Sequence, residues 1–257
     1  STNQLAIRAI KNTCLSLLVP DKLEHVEIDG KVCFIEQRLP GIAIDVPLSN
    51  MMILLCKASD VLARFHYQTC RSFEMDISLL DNLLLNDLVF LSTIRGVNSE
   101  LCQEFINFFK KKLLGKRVKL VWSHGDYKIE NILFNVNGMS ITGIIDWDLF
   151  TKNNFLLIDL FYLIFYGKAL VEKNSVSKIF EDCFVEQRFT QIESQILRKY
   201  IEIVGSPSEG LEFYMVIFWI QHLARRYRQL LVQHGNNAEY WIERNINKFL
   251  VLFSDRL

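Results

Sequence analysis

The chain has 257 residues, 50% of them hydrophobic, enough to bury a sizeable core as one large domain or two small ones. With only 4 Pro and 11 Gly, a disordered or low-complexity chain is excluded. Lys+Arg and Asp+Glu balance at 29 each, so nothing in the overall charge draws the protein to nucleic acid, although a local basic patch remains open.

The six cysteines, Cys14, Cys33, Cys56, Cys70, Cys102 and Cys183, form no C-x-x-C pair and lack zinc-finger spacing. They read as buried thiols in a reducing compartment. Nothing at the start reads as a signal peptide. The most apolar runs, Phe155–Tyr166 and Phe213–Ile220, fall short of the ~20 residues that span a bilayer, and the first contains Asp159. The expectation is a cytoplasmic protein with no membrane span and no nucleic-acid partner.

In chain order, the apolar spacing of Leu5, Ile10, Cys14, Leu17 and Leu18 predicts a helix over Asn3–Leu18, ended by Val19-Pro20. Strand-like runs follow at His25–Ile28 and Lys31–Gln37, with Asp29-Gly30 as a hairpin turn between them. Leu39-Pro40-Gly41 breaks the pattern and reads as a hinge. Beyond it the chain turns helical: Ser49–Thr69, with Ile53, Leu54, Cys56, Leu62 and Phe65 on its inner face, then Leu79–Leu91 and Ser99–Leu114. Later helices are expected at Asn154–Tyr166, Val176–Phe184, Gln191–Val204, Gly210–Gln233 and Ala238–Phe253. One β-rich island interrupts them, with strands at Lys119–Ser123, Ile132–Asn135 and Ile141–Ile145 and a turn at Asn137-Gly138.

That island carries the chemistry. It reads Ser123-His124-Gly125-Asp126-Tyr127-Lys128-Ile129-Glu130-Asn131, and Ile144-Ile145-Asp146-Trp147-Asp148 follows a hairpin later. Phosphoryl transfer needs one carboxylate to orient the attacking hydroxyl and accept its proton, and oxygen ligands to hold magnesium against a triphosphate. Asp126, Asn131 and Asp146 are side chains of those kinds, and a hairpin can bring them together. His124, Asp126 and Asn131 meet the kinase catalytic-loop pattern H-x-D-x-x-x-x-N in full.

The sequence resembles the aminoglycoside phosphotransferase and choline kinase superfamily. Its loop reads H-G-D-x-x-x-x-N and its metal motif I-D-W/F-D/E. Phe34-Ile35-Glu36-Gln37-Arg38-Leu39-Pro40-Gly41 is similar to the strand and hinge joining the two lobes of that family. Leu62-Ala63-Arg64-Phe65-His66 resembles its L-A-x-L-H helix, and Ile158-Asp159-Leu160 its D-L-A motif. The matches run in the family's order from about Val19 to Tyr166.

The resemblance implies an α+β, protein-kinase-like fold. A partial N-terminal lobe of helix plus β-hairpin over 1–40 would precede a mostly helical C-terminal lobe over 41–257 that carries the small β-island. It implies Asp126 as the catalytic base, with Lys128 neutralising charge on the transferred group. Asn131 and Asp146 would be Mg2+ ligands assisted by Asp148, and Glu36, Gln37 and Arg38 would lie along the ATP or GTP site. His124 and Asp159 are expected as structural support, Asp159 by hydrogen-bonding the loop; His66 and Trp147 are expected to pack. The acceptor would be a small-molecule hydroxyl on a sugar, amino sugar or amino alcohol. No cluster of acids suits a polycationic aminoglycoside.

Other readings stay open. Asp126 and Asn131 alone could cap a turn. Arg225, Arg226 and Arg228 could form a solvated face or meet an anionic substrate. No Gly-rich loop or strand lysine precedes Asp29-Gly30, so the expectation includes a missing N-terminal segment or a larger parent protein. A non-catalytic kinase-like binding or scaffolding module is the alternative. A protein kinase fits less well, because His124-Gly125-Asp126 lacks the usual Arg and no A-P-E segment follows Asp146.

Overall fold

The structure, a computed structural model, describes residues 9–20, 23–43, 50–135, 140–234 and 239–254. In chain order the elements are β1 (Leu23–Ile28), β2 (Lys31–Glu36), α1 (Met51–Thr69), β3 (Arg71–Glu74), α2 (Ile77–Leu80), α3 (Asn86–Ser92), α4 (Ser99–Leu113), β4 (Arg117–Ser123), β5 (Ile132–Phe134) and β6 (Ile141–Ile144). They continue with β7 (Thr151–Phe155), α5 (Ile158–Glu172), α6 (Val176–Val185), α7 (Gln191–Val204), α8 (Leu211–His234), α9 (Glu239–Ile242) and α10 (Lys248–Ser254). The chain divides into two compact units, Ser1–Cys70 with Val121–Ser206, and Arg71–Leu120 with Pro207–Leu257.

In the first unit, β1 and β2 pair antiparallel in register Ile28↔Lys31, leaving Asp29 and Gly30 as a two-residue turn. Both turn residues have positive φ, 51° and 71°, the geometry that matches strand twist in a tight hairpin. The segment before the hairpin departs from the expected helix. Residues 9–10 are helical, and residues 11–19 run in tight turns, with Thr13 N–H on Ile10 O at 2.8 Å and Leu18 N–H on Leu15 O at 2.8 Å. The Thr13 hydroxyl also donates to Ile10 O at 2.7 Å, so a side chain competes for a carbonyl that the helix ladder would use. Residues 1–8 lie outside the described residues.

Helix α1 packs on α5 and α7. Its buried face is Leu54, Leu55, Ala58, Leu62, Ala63, Phe65 and His66. Ile53, expected on that face, is 53% exposed, because one residue of helix turns it about 100° away from Leu54. The backbones of α1 and α5 approach closely: a Cβ on Gly167 would lie 2.6 Å from Leu55 Cδ2. Apart from Asp159, helix α5 is apolar on all sides from Ile158 to Phe165 and buried throughout that stretch, as a central core helix should be. Each large side chain there, such as Phe161 or Phe165, contributes about 1.5–3 kcal/mol by leaving water. Helix α7 starts at a capping box in which Thr190 and Glu193 satisfy each other's backbone N–H. Glu193 Oε2 also receives Lys168 Nζ of α5 at 3.0 Å.

Strands β5 and β6 pair as Ile132↔Ile144; the expected Asn137-Gly138 turn lies outside the described residues. The helix expected over Asn154–Tyr166 begins instead at Ile158 and runs to Glu172. Asn154 and Phe155 end β7, and Leu157 adopts φ 72° between strand and helix.

In the second unit, β3 pairs with the first part of β4, from Arg71↔Leu120 to Glu74↔Arg117. A π turn at Asp81–Leu85 separates α2 from α3. The Leu83 carbonyl in that turn receives the Gln221 amide at 2.8 Å, so α8 supports the irregular turn. Arg228 of α8 bonds Asp87 at 2.8 Å and stacks on Phe90 at 4.3 Å. No helix among the described residues is long and apolar enough to cross a membrane.

Candidate active site

The site grows from the end of β4. Ser123 closes the strand, Gly125 turns with φ 85°, and a 3-10 turn at Ile129–Asn131 leads into β5. Glycine is required at 125 because a Cβ there would lie 2.5 Å from the Leu149 carbonyl oxygen. Gly125→Ala therefore costs at least about 2 kcal/mol, from left-handed strain and steric push together; equilibrium urea unfolding of the variant checks the figure.

Asp126 is held from several sides. Its Oδ2 accepts Lys128 Nζ at 2.7 Å and Asn131 Nδ2 at 3.3 Å, and Asn131 Nδ2 also donates to the Asp126 carbonyl at 2.9 Å. The carboxylate is half-buried, and Lys128 also lies 5.6 Å from the Tyr166 ring centroid. The amide nitrogen of Asn131 is thus committed to Asp126, and its oxygen is the atom of a kind that could ligate a cation.

His124 ties the loop to the second motif. The Asp126 N–H donates to His124 Nδ1 at 3.2 Å, so the ring proton sits on Nε2, which donates to the Ile145 carbonyl at 2.9 Å. Ile145 N–H in turn bonds Asn131 O at 2.9 Å, and the His124 ring lies 4.4 Å from that of Trp147. Trp147 is buried and donates its indole N–H to Ile144 O at 2.8 Å. Backbone, imidazole and indole thus stitch the loop that bears Asp126 to the turn that bears Asp146 and Asp148.

Burial lowers the His124 pKa from 6.5, against the opposing pull of Asp159, Asp126 and Asp146. In acid the unfolded chain takes a proton that the folded ring resists, so this contribution to stability is lost as pH falls below 6.5. The melting temperature is expected to drop between about pH 7 and about pH 5.5. Thermal melts of His124→Asn should show a shallower drop; an equal slope would exclude His124 as a source.

Beneath the loop lies Asp159, on the first turn of α5 and 1% exposed. Its Oδ1 accepts the Ser123 hydroxyl and the Gly125 N–H, both at 2.9 Å, and its Oδ2 accepts the His124 N–H at 2.7 Å. His66 Nε2 of α1 approaches Oδ2 at 3.3 Å, too obliquely to count as an aligned hydrogen bond. Burial alone would raise this carboxyl; the imidazoles of His66 and His124 and the Gly125 N–H outweigh it and hold the group below its usual 3.8. His66, expected only to pack, therefore belongs to a polar network, as do Ser123 and Tyr200, whose hydroxyl meets His66 Nδ1 at 2.5 Å. Ser123 was open to notice as the residue beside His124, whereas no local signal pointed to Tyr200, 134 residues from His66.

Asp146 is exposed and left-handed, φ 64° and ψ 57°, and Asp148 is exposed on the 3-10 turn after it. The register Ile132↔Ile144 sets Asn131 opposite Ile145, one residue from Asp146. Among the described residues no group of three or more His, Cys, Asp or Glu is gathered closely enough to hold a metal. Mg2+ seldom takes such an all-protein cage; one or two carboxylates and phosphate oxygens normally share it. The hard oxygens of Asn131 and Asp146, with Asp148 nearby in sequence, fit that pattern.

Glu36 ends β2, and Gln37 and Arg38 follow it, all three exposed. The segment then docks on the β5–β6 hairpin. Ile42 and Phe134 exchange backbone hydrogen bonds at 2.9 and 3.0 Å, and a Cβ on Gly143 would lie 2.7 Å from Leu39 Cδ1.

No curated protein matches the chain. Among solved structures, a Ralstonia eutropha JMP134 protein assigned to the aminoglycoside phosphotransferases matches with TM-score 0.60 at 14% identity, over 98% of this chain and 83% of that one. A choline/ethanolamine kinase family protein from Mesorhizobium loti matches with TM-score 0.56 at 15% identity, over 98% and 79%. An aminoglycoside phosphotransferase, APH(3'')-Id, from Streptomyces rimosus ATCC10970, in complex with ADP and streptomycin, matches with TM-score 0.50 at 14% identity, over 86% and 83%. These likenesses show a shared kinase-like α+β fold. The APH model, described as the phosphotransferase enzyme family, matches residues 27–175, more than half of the chain and the stretch that holds both motifs. With that match and the stitched loop in place, the chain belongs to the phosphotransferase enzyme family.

Proposed function

We propose that the protein transfers the γ-phosphoryl group of ATP or GTP to a hydroxyl of a small molecule, a sugar, amino sugar or amino alcohol. The observation that carries this reading is the stitching of the Asp126–Asn131 loop to the Asp146 turn through His124, Ile145 and Trp147. Family membership supports the reaction class. The ADP and streptomycin in the Streptomyces rimosus structure support a nucleotide and a small hydroxyl-bearing acceptor as the ligand classes.

In this mechanism Asp126 orients the acceptor hydroxyl and takes its proton as the hydroxyl oxygen bonds the γ-phosphorus and the bond from that phosphorus to the β–γ bridging oxygen breaks, releasing ADP or GDP. Lys128, bonded to Asp126 in the structure, has its ammonium within reach of a phosphoryl group brought to the same carboxylate and would share it. Asn131 and Asp146 would hold Mg2+, with Asp148 assisting, and the bound ion would supply positive charge to the phosphate oxygens. The linker Glu36–Arg38 lies along the nucleotide, with its continuation fastened to β5 through Ile42. His124 and Asp159 touch no substrate and keep the loop in shape.

The test is incubation with γ-labelled ATP or GTP, Mg2+ and a panel of sugars, amino sugars and amino alcohols. Acceptor-dependent label transfer is expected. Hydrolysis without transfer to any member would reject this acceptor class, and nucleotide binding without turnover would favour the binding-module alternative.

A further inference from the structure

We propose that Tyr200 is a positioning residue: through His66 and Asp159 it holds the posture of the loop that carries Asp126. Tyr200 lies on α7, far along the chain from that loop, yet its hydroxyl meets His66 Nδ1 at 2.5 Å and its ring stands edge-on to the imidazole at 5.7 Å. Tyr200 and His66 are both buried, at 1% and 0% exposure, so neither hydroxyl nor ring can fall back on solvent.

The direction of each hydrogen bond follows from the donors available. A buried hydroxyl must place its proton on an acceptor, and Nδ1 is the acceptor at hand. Tyr200 therefore gives its proton to Nδ1, and the ring N–H remains on Nε2, which faces Asp159 Oδ2 at 3.3 Å. With this tautomer the positive edge of an N–H, set obliquely, faces Asp159. With the opposite one, two protons would meet between Tyr200 and His66, and a lone pair would face the carboxylate.

Asp159 passes the tautomer of His66 on to Ser123, His124 and Gly125, which it holds through three hydrogen bonds.

The inference concerns the loop's posture, and its test reads no activity, so it stands or falls apart from the proposed reaction. The experiment uses the whole chain labelled with 15N. In the wild type, the His66 ring should carry its proton on Nε2 and accept at Nδ1; a proton on Nδ1 would overturn the inference without any variant. In Tyr200→Phe, which keeps the ring, His66 should lose the single tautomer. The His124 and Gly125 amides should exchange with solvent roughly three- to tenfold faster, the effect of losing one buried hydrogen bond. An unchanged tautomer with unchanged exchange at both amides would overturn it.

Discussion

Asp126→Asn is expected to abolish phosphoryl transfer, by at least about 100-fold, while leaving the fold intact. The substitution keeps the size of the side chain and an oxygen for Lys128 and Asn131, which hold the carboxylate at 2.7 and 3.3 Å. It removes the capacity to accept a proton from the attacking hydroxyl. Asn131 and Asp146 are untouched, so magnesium-nucleotide binding should persist. Steady-state transfer rates beside thermal melts separate these effects. Full activity in the variant would reject Asp126 as the base.

Asp159→Ala is expected to give the largest loss of stability. It strands the Ser123 hydroxyl and the His124 and Gly125 N–H groups, all bonded to this carboxylate and all buried. A buried donor left without a partner costs about 1–3 kcal/mol, so three cost roughly 3 kcal/mol or more. That is a large part of the 5–15 kcal/mol that typically holds a domain together. Asp159→Asn keeps an acceptor oxygen and should cost less. Chemical denaturation of both variants checks the order; a loss below about 1 kcal/mol for Asp159→Ala would mean that the loop finds other partners.

How much of this was legible in the sequence depended on how local the signal was. Gln191–Val204 was foreseen at both ends, and in the structure Thr190 and Glu193 cap its start and Gly205 ends it. The Asp29-Gly30 hairpin was equally local, since two left-handed residues must sit between paired strands. The loop and metal motifs were readable because phosphoryl transfer asks for few residue types in fixed order. Strands β3 and β7 escaped notice: Arg71-Ser72-Phe73-Glu74 and Thr151-Lys152-Asn153-Asn154-Phe155 are mostly polar and lack the alternation that marks a half-buried strand. Their partners supply the reason to be extended. The network around Asp159 was only partly legible for a similar reason. Asp159 in an apolar helix announced a buried need, but its partners come from α1, β4 and, through His66, α7, a convergence that only the folded chain displays.

The most direct test of the central claim is calorimetric titration of the chain with ATP or GTP, with and without Mg2+, beside Asp146→Ala. The account predicts binding that requires magnesium and is lost in the variant. Failure to bind at millimolar nucleotide, or binding indifferent to magnesium and to Asp146, would contradict it.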